Sequence, residues 1–360
     1  MIHVTKPFLP PIEEYIKKLK GVYERNWLTN DGPLVRELEF KLSKRLGVEH
    51  LLFVSNGTIA IQIAIKALGL KGKIITTPFS YIATSSSILW EGCEPVYVDI
   101  APGDFNIDAS KIEAAITPDV SGIIATHCFG IPCDVEAIEA IAKRHNLKVI
   151  YDAAHAFGTK VNGRSIFEFG DINTCSFHAT KLFHTVEGGS ISTRDAELAR
   201  RIPYLRNFGH DGPEKFNGVG INGKNSELHA AMGLVNLDYV DSILEKRRQA
   251  VELYCKHLDP NHVELPPVDK LGWNCSFMPV VFKSEKVALQ VKEGLEMKAV
   301  FPRRYFYPSL DSIFEHTKTS CTNSSKIAKS ILCLPLFSGI TEDEILLVVN
   351  EISSILDGGT

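Results

Sequence analysis

A chain of 360 residues, 44% apolar and 23% charged, is long enough for one large α/β domain and a smaller companion. A formal charge of −4 with no Lys/Arg-rich block argues against a nucleic-acid binder, so any anionic ligand must be held by local donors. No run approaches the roughly 18–20 apolar residues of a membrane span, and the start, MIHVTKPFLPPIEEY, has no apolar core of signal-peptide length, which predicts a cytoplasmic protein with its eight scattered cysteines as free thiols.

Short apolar runs predict strands over Leu51–Val54, Lys73–Thr77, Pro95–Val98, Gly122–His127, Lys148–Tyr151, Thr174–Phe177 and Ser190–Thr193. Helical patterns lie between most of them, over Thr58–Leu68, Tyr81–Trp90 and Asp134–His145. This alternation, with nearly continuous apolar strands, predicts a mainly parallel sheet of seven strands sandwiched by helices. Only a loop separates the last two runs, so a hairpin or irregular crossover is expected there. Ser226–Arg248 reads as one long helix leading out of this part. The boundary is expected near residue 240: 1–240 as the large domain with an N-terminal arm, and 241–360 as a smaller α/β domain with signals over Phe277–Phe282, Lys286–Met297 and Glu342–Leu356.

In open α/β sheets ligands bind beyond the carboxyl ends of strands, and four chemistry-bearing segments lie there. Ser55-Asn56-Gly57-Thr58 opens a helix after a strand and can seat a phosphate on backbone N–H groups and a hydroxyl. Tyr81, in PFSYIAT, can stack on a flat ring. Asp152, in YDAAH, ends an apolar strand, where a buried carboxylate needs a positive partner. A protonated pyridine nitrogen would serve, with His155 beside a phenolic oxygen. Lys181, in SFHATK, follows another strand, where burial would make its amine nucleophilic near neutral pH, and Ser176 could add a phosphate hydroxyl. Taken singly, each has a plain structural reading: a helix cap, a packed aromatic, a satisfied histidine, a solvated lysine. Together they run in the order phosphate cup, ring stacker, ring-nitrogen acid, Schiff-base lysine. The twelve histidines offer no H-x-x-x-H or H-E-x-x-H spacing, so no metal is expected.

That order resembles the fold-type I pyridoxal-phosphate enzymes, and specifically the DegT/StrS-like nucleotide-sugar aminotransferases. The segments that carry the resemblance are NWLTNDGP (26–33), SNGTIA (55–60), TTPFSYIAT (76–84), PVYVDI (95–100), YDAAHAFG (151–158), SFHATK (176–181), EGG (187–189) and GINGKNSELHAAMG (220–233). The resemblance implies pyridoxal 5'-phosphate as cofactor, carried by Lys181 as a Schiff base. It places Asp152 on the ring nitrogen, His155 by the phenolic oxygen, Gly57, Thr58 and Ser176 on the phosphate, and Tyr81 over the ring. It also implies a homodimer with shared sites, in which a second subunit supplies a phosphate ligand from an N-x-R-like segment. Here that segment reads Asn222-Gly223-Lys224-Asn225; Asn222 is favoured, with Lys224 and Asn225 as alternatives. Trp27, Thr29, Asn30, Arg304 and Tyr307 fall in segments that line the sugar-nucleotide cleft of such enzymes.

The wording of YDAAHAFG and FHATKLFHTVEGG is most like the VioA-type branch. This implies transfer of the amino group of L-glutamate to dTDP-4-keto-6-deoxy-D-glucose, with a bacterial surface polysaccharide such as O-antigen as the destination. A 3-keto sugar, or a GDP or UDP sugar, is the alternative. Family members that act as sugar dehydratases carry His in place of the lysine, which disfavours that reading here. A nicotinamide oxidoreductase would want G-x-G-x-x-G after the first strand, and none is present. A cofactor-binding regulator without transaminase activity is the outside option.

Overall fold

The computed structural model describes residues 1–266, 272–314 and 321–358. Its centre is a seven-stranded sheet in the order His50–Val54, Gly189–Thr193, Ile172–Ser176, Lys148–Asp152, Val120–Thr126, Lys73–Thr76, Glu94–Tyr97. Gly189–Thr193 runs antiparallel to both neighbours; the other pairs are parallel. All seven expected strands are present, and the loop between the last two closes an antiparallel pair, with Gly189 opposite Ser176. The strands are apolar on both faces because both are covered. Ile74 and Ile150 join one core, with Ile61 and Ile65 of the helix Gly57–Leu68. Their neighbours Ile75 and Tyr151 join another, with Ile138 and Ile141 of the helix Val135–His145.

The expected helix over Ser226–Arg248 is two helices, Glu227–Leu237 and Val240–His257. The break sits at Asp238–Tyr239, where a tight turn brings the Tyr239 N–H onto Asn236 O at 3.1 Å. Tyr239 is held there by its ring, 5.1 Å from Phe8, and by its hydroxyl, which donates to Glu14 Oε1 at 2.7 Å. Helical periodicity continues through the turn, so only the contact with the N-terminal segment reveals it.

Beyond the turn, Val263–Glu264, Met278–Phe282 and Ile331–Leu334 form an antiparallel sheet. Val240–His257, Glu285–Met297 and Glu342–Asp357 pack with it around Tyr254, Val280, Leu334 and Val348. The N-terminus belongs to this assembly: Ile2–His3 pairs in parallel with Val300–Phe301, and the Leu336 N–H donates to Val4 O at 3.0 Å.

One buried carboxylate explains why two distant motifs, NDGP and SELHAAMG, occur together. Glu227 is fully buried and accepts the N–H groups of Leu34 at 3.0 Å and Val35 at 2.9 Å, capping the helix Pro33–Leu46 from across the fold. A Cβ on Gly32 would lie 2.5 Å from the Glu227 carboxyl carbon, so only glycine fits beside it. Glu227→Ala is expected to leave both N–H groups buried and unpaired, at about 1–3 kcal/mol each. Urea unfolding should show the midpoint falling accordingly.

Candidate active site

The carboxyl ends of the parallel strands open into a cavity of about 520 Å³. Its lining includes Gly57, Thr58, Tyr81, Asp152, His155, Ser176 and Lys181, which come from four strand ends far apart in sequence.

At one end of the cavity lies the start of the helix Gly57–Leu68. Its cap is Asn56, whose Oδ1 accepts the Ile59 N–H at 2.8 Å, and not Thr58. The N–H groups of Gly57 and Thr58 have no acceptor within the helix, as at any helix start. A Cβ on Gly57 would sit 3.0 Å from Ser176 Cβ, so a side chain there would crowd the cup. The result is a seat for an anion built from free N–H groups, two hydroxyls and the positive helix end.

Asp152 ends the central strand and is buried. Oδ2 accepts the Thr84 hydroxyl at 2.8 Å, and Oδ1 accepts the Ala154 N–H at 3.0 Å. Burial pushes its pKa up, while Ala154, Thr84 and the Lys181 charge pull it down. In register with Asp152 on the flanking strands stand Thr126 and Thr174, which also line the cavity. Their hydroxyls find no partner among the described residues.

His155 lies parallel to Phe306, with centroids 5.6 Å apart, and edge-on to Phe277. Burial holds its imidazole neutral, and Nδ1 has no partner among the described residues. Lys181 follows Ser176 by a tight turn, its N–H donating to His178 O at 2.9 Å. Its side chain is half-buried and faces the cavity. Burial lowers the amine to about 8, with Asp152 and Cys175 opposing the shift. Tyr81 lies across the mouth and is 60% exposed, which leaves its face free for a flat ligand.

The other predicted residues lie elsewhere. Arg304 and Tyr307 do not line the cavity; the Arg304 guanidinium bonds Glu285 Oε1 at 2.6 Å and stacks 3.5 Å over the Tyr307 ring. Their neighbours Tyr305 and Phe306 line it instead. Trp27 donates to Thr29 O at 2.6 Å at the surface. Asn30 borders a separate pocket shared with Arg206, Lys224 and Asn225. Asn222 accepts from Lys224 Nζ at 2.6 Å outside the cavity. Asn225 donates to the carbonyl of Glu187, a rim residue, at 3.0 Å. Sequence reasoning gave no role to Thr84 or Phe277, and placed Tyr305 and Phe306 only inside the cleft-lining segment Arg304-Tyr305-Phe306-Tyr307, without choosing them as site residues. The signal for the last two was present, as an aromatic pair inside a segment already singled out.

The profile of the DegT/DnrJ/EryC1/StrS aminotransferase family matches residues 11–353. The chain belongs to that family. It is 40% identical to a dTDP-4-amino-4,6-dideoxy-D-glucose transaminase of Shigella dysenteriae, covering 98% of this chain and 99% of the relative. It is 37% identical to one of the same name from Escherichia coli, covering 99% and 98%. Among solved structures, DesI in the presence of its TDP-sugar product superimposes with a TM-score of 0.94 at 32% identity, covering 99% of this chain and 93% of that one. NtdA of Bacillus subtilis, solved with bound cofactor PMP, gives 0.88 at 28% identity, covering 98% and 86%. Like the family, the chain is a pyridoxal-phosphate-dependent aminotransferase. The residues present fit that cofactor: an anion cup, a buried carboxylate, an unpartnered imidazole nitrogen and an amine of lowered pKa surround one cavity. Among the described residues no helix is long and apolar enough to cross a membrane.

Proposed function

We propose that this enzyme moves the amino group of L-glutamate to dTDP-4-keto-6-deoxy-D-glucose, giving dTDP-4-amino-4,6-dideoxy-D-glucose. The reading rests on end-to-end similarity to two transaminases of that product. A GDP or UDP sugar is the second reading, favoured by 34% identity to a GDP-perosamine synthase of Caulobacter vibrioides and 32% to a UDP-N-acetyl-3-dehydro-alpha-D-glucosamine 3-aminotransferase of Acidithiobacillus ferrooxidans. The purified enzyme, given glutamate and each ketosugar, should release 2-oxoglutarate fastest with the dTDP-4-keto sugar. Proton couplings of the product should place nitrogen on carbon 4. Faster turnover of a 3-keto, GDP or UDP sugar would replace the first reading with the second. Absence of 2-oxoglutarate release with any of them would favour a regulator, as in the pleiotropic regulatory protein of Geobacillus stearothermophilus, 33% identical.

Bound pyridoxal phosphate supplies an electron sink, so that a carbon–hydrogen bond beside nitrogen breaks as a proton transfer. Gly57, Thr58 and Ser176 would hold its phosphate, Tyr81 would cover the ring, and Asp152 and His155 would meet the ring nitrogen and the phenolic oxygen. Lys181 would carry it, and its amine would take the proton from the glutamate α-carbon. In the second half of the cycle Lys181 returns a proton to the sugar carbon that gains nitrogen. Two copies of the chain complete each other's sites. Asn222 reaches the partner's phosphate, and Trp27, Thr29 and Asn30 border the partner's sugar cleft, with Arg304 and Tyr307 closing its outer edge. The loop beside Asn222 supports this pairing, since Phe216 and Val219 are 64% and 88% exposed. We also place a two-domain division near residue 240, a reading supported by the turn at Asp238–Tyr239.

Because Lys181 sits near 8 and not 10.5, its free-base fraction rises through about pH 8. Capture of added pyridoxal phosphate by the apoenzyme should therefore accelerate with pH and level off above about 9. Stopped-flow absorbance checks this; a rate still climbing steeply at pH 10 would place the amine at its ordinary value.

A further inference from the structure

Within the cavity, the carboxylate of Asp152 is oriented by two hydrogen-bond donors among the described residues, one of them a side chain. Thr84 lies in the first turn of the helix Ala83–Trp90 and is 1% exposed. Its hydroxyl donates to Asp152 Oδ2 at 2.8 Å, and its N–H donates to Tyr81 O at 3.2 Å. One residue thus joins the aromatic that lies across the cavity mouth to the carboxylate at its floor. The other carboxylate oxygen is tied by the Ala154 N–H at 3.0 Å, which no substitution of side chain removes.

We propose that Thr84 is a positioning residue for the cofactor's ring, holding Asp152 ionised and aimed at the ring nitrogen while fixing the Tyr81 segment above it. The inference rests on the pyridoxal-phosphate site argued above and adds a residue to it. A carboxylate accepts about four hydrogen bonds and a protonated carboxyl must donate one. Against a pyridine N–H, an ionised Asp152 attracts and a protonated one competes as a donor. A hydroxyl with its proton committed to Oδ2 favours the ionised form. The other titratable groups acting on Asp152 or acted on by it are Lys181, Cys175 and Cys128, with His155 lining the same cavity. Burial keeps both thiols protonated and the imidazole neutral, so Lys181 is the one cation among them.

The test compares Thr84→Val, which keeps the shape and removes the hydroxyl, with Thr84→Ser, which keeps the hydroxyl. Pyridoxal phosphate is titrated into dialysed apoenzyme by absorbance, and the bound cofactor's spectrum is followed against pH. Losing a hydrogen bond to a charged group corresponds to about 10- to 100-fold in a binding constant. Thr84→Val should weaken cofactor binding by that factor and displace the spectral pH titration, and Thr84→Ser should restore both. In an Asp152→Asn background the Val substitution should add little, because the group it orients no longer ionises. Equal cofactor affinity and an unmoved spectral titration in Thr84→Val would overturn the proposal. So would a full additive loss in the Asp152→Asn background, which marks mere packing. If the unmodified enzyme took up no pyridoxal phosphate, the underlying site reading would fail first, a result separable from either.

Discussion

Lys181→Ala is expected to fold, to bind pyridoxal phosphate weakly at the same cup, and to show no measurable transamination. Two losses combine. The covalent attachment goes, and with it the amine that moves the proton at the glutamate α-carbon; general acid–base catalysis alone is worth about 10²–10⁴-fold. Turnover should drop by at least about 10⁴-fold. Nothing else in the cavity replaces the amine. His155 is neutral but packed between Phe306 and Phe277, and His178 is exposed at the rim. Two measurements decide the matter. Borohydride reduction of the unmodified enzyme followed by peptide mapping should label position 181, and the variant should carry no label. Added small primary amines should partly restore proton transfer in the variant. Substantial turnover without added amine, or label on another lysine, would remove Lys181 from the centre of the reaction.

The second large effect concerns Asp152, and it has opposite signs with and without cofactor. In the apoprotein the carboxylate is buried, and burial pushes its pKa above the usual carboxylate value. The sign follows from linkage: a folded pKa above the unfolded one means that the folded state holds the extra proton. Asp152 therefore favours folding at low pH and opposes it as pH rises through its folded pKa. Asp152→Asn removes that opposition at neutral pH, so the apoprotein should melt at a higher temperature than the unmodified apoprotein. With pyridoxal phosphate bound, the carboxylate gains a positive partner and the order should reverse. The glutamate half-reaction in the variant should slow by about 10²–10³-fold, the range for removing one preorganised electrostatic contact. Paired thermal melts of apo and loaded protein, with stopped-flow half-reactions, check both claims. An apo variant that melts lower than the unmodified apoprotein would show that Asp152 is structural first.

The seven strands, the helices between them and the gathering of the candidate site residues at the strand ends were legible in the sequence. Strand and helix periods are local properties of side-chain order, and strand ends are where such a sheet exposes backbone and cavities. Gly57, Thr58, Tyr81, Asp152, His155, Ser176 and Lys181 each follow a strand, so their meeting around one cavity needed no distance information beyond the parallel order. Three features needed the folded chain. The turn at Asp238–Tyr239 interrupts a helical pattern because Tyr239 packs on Phe8, more than two hundred residues away. Glu227, to which the sequence reading gave no role, is a buried cap on Pro33–Leu46. In the irregular stretch Arg304–Tyr307, which turns at Tyr305 and Phe306, those two residues line the cavity while Arg304 is drawn to Glu285. Irregular backbone has no period from which to read which side chain points inward. In such segments the contacts made by distant elements decide it, and those exist only once the chain has closed on itself.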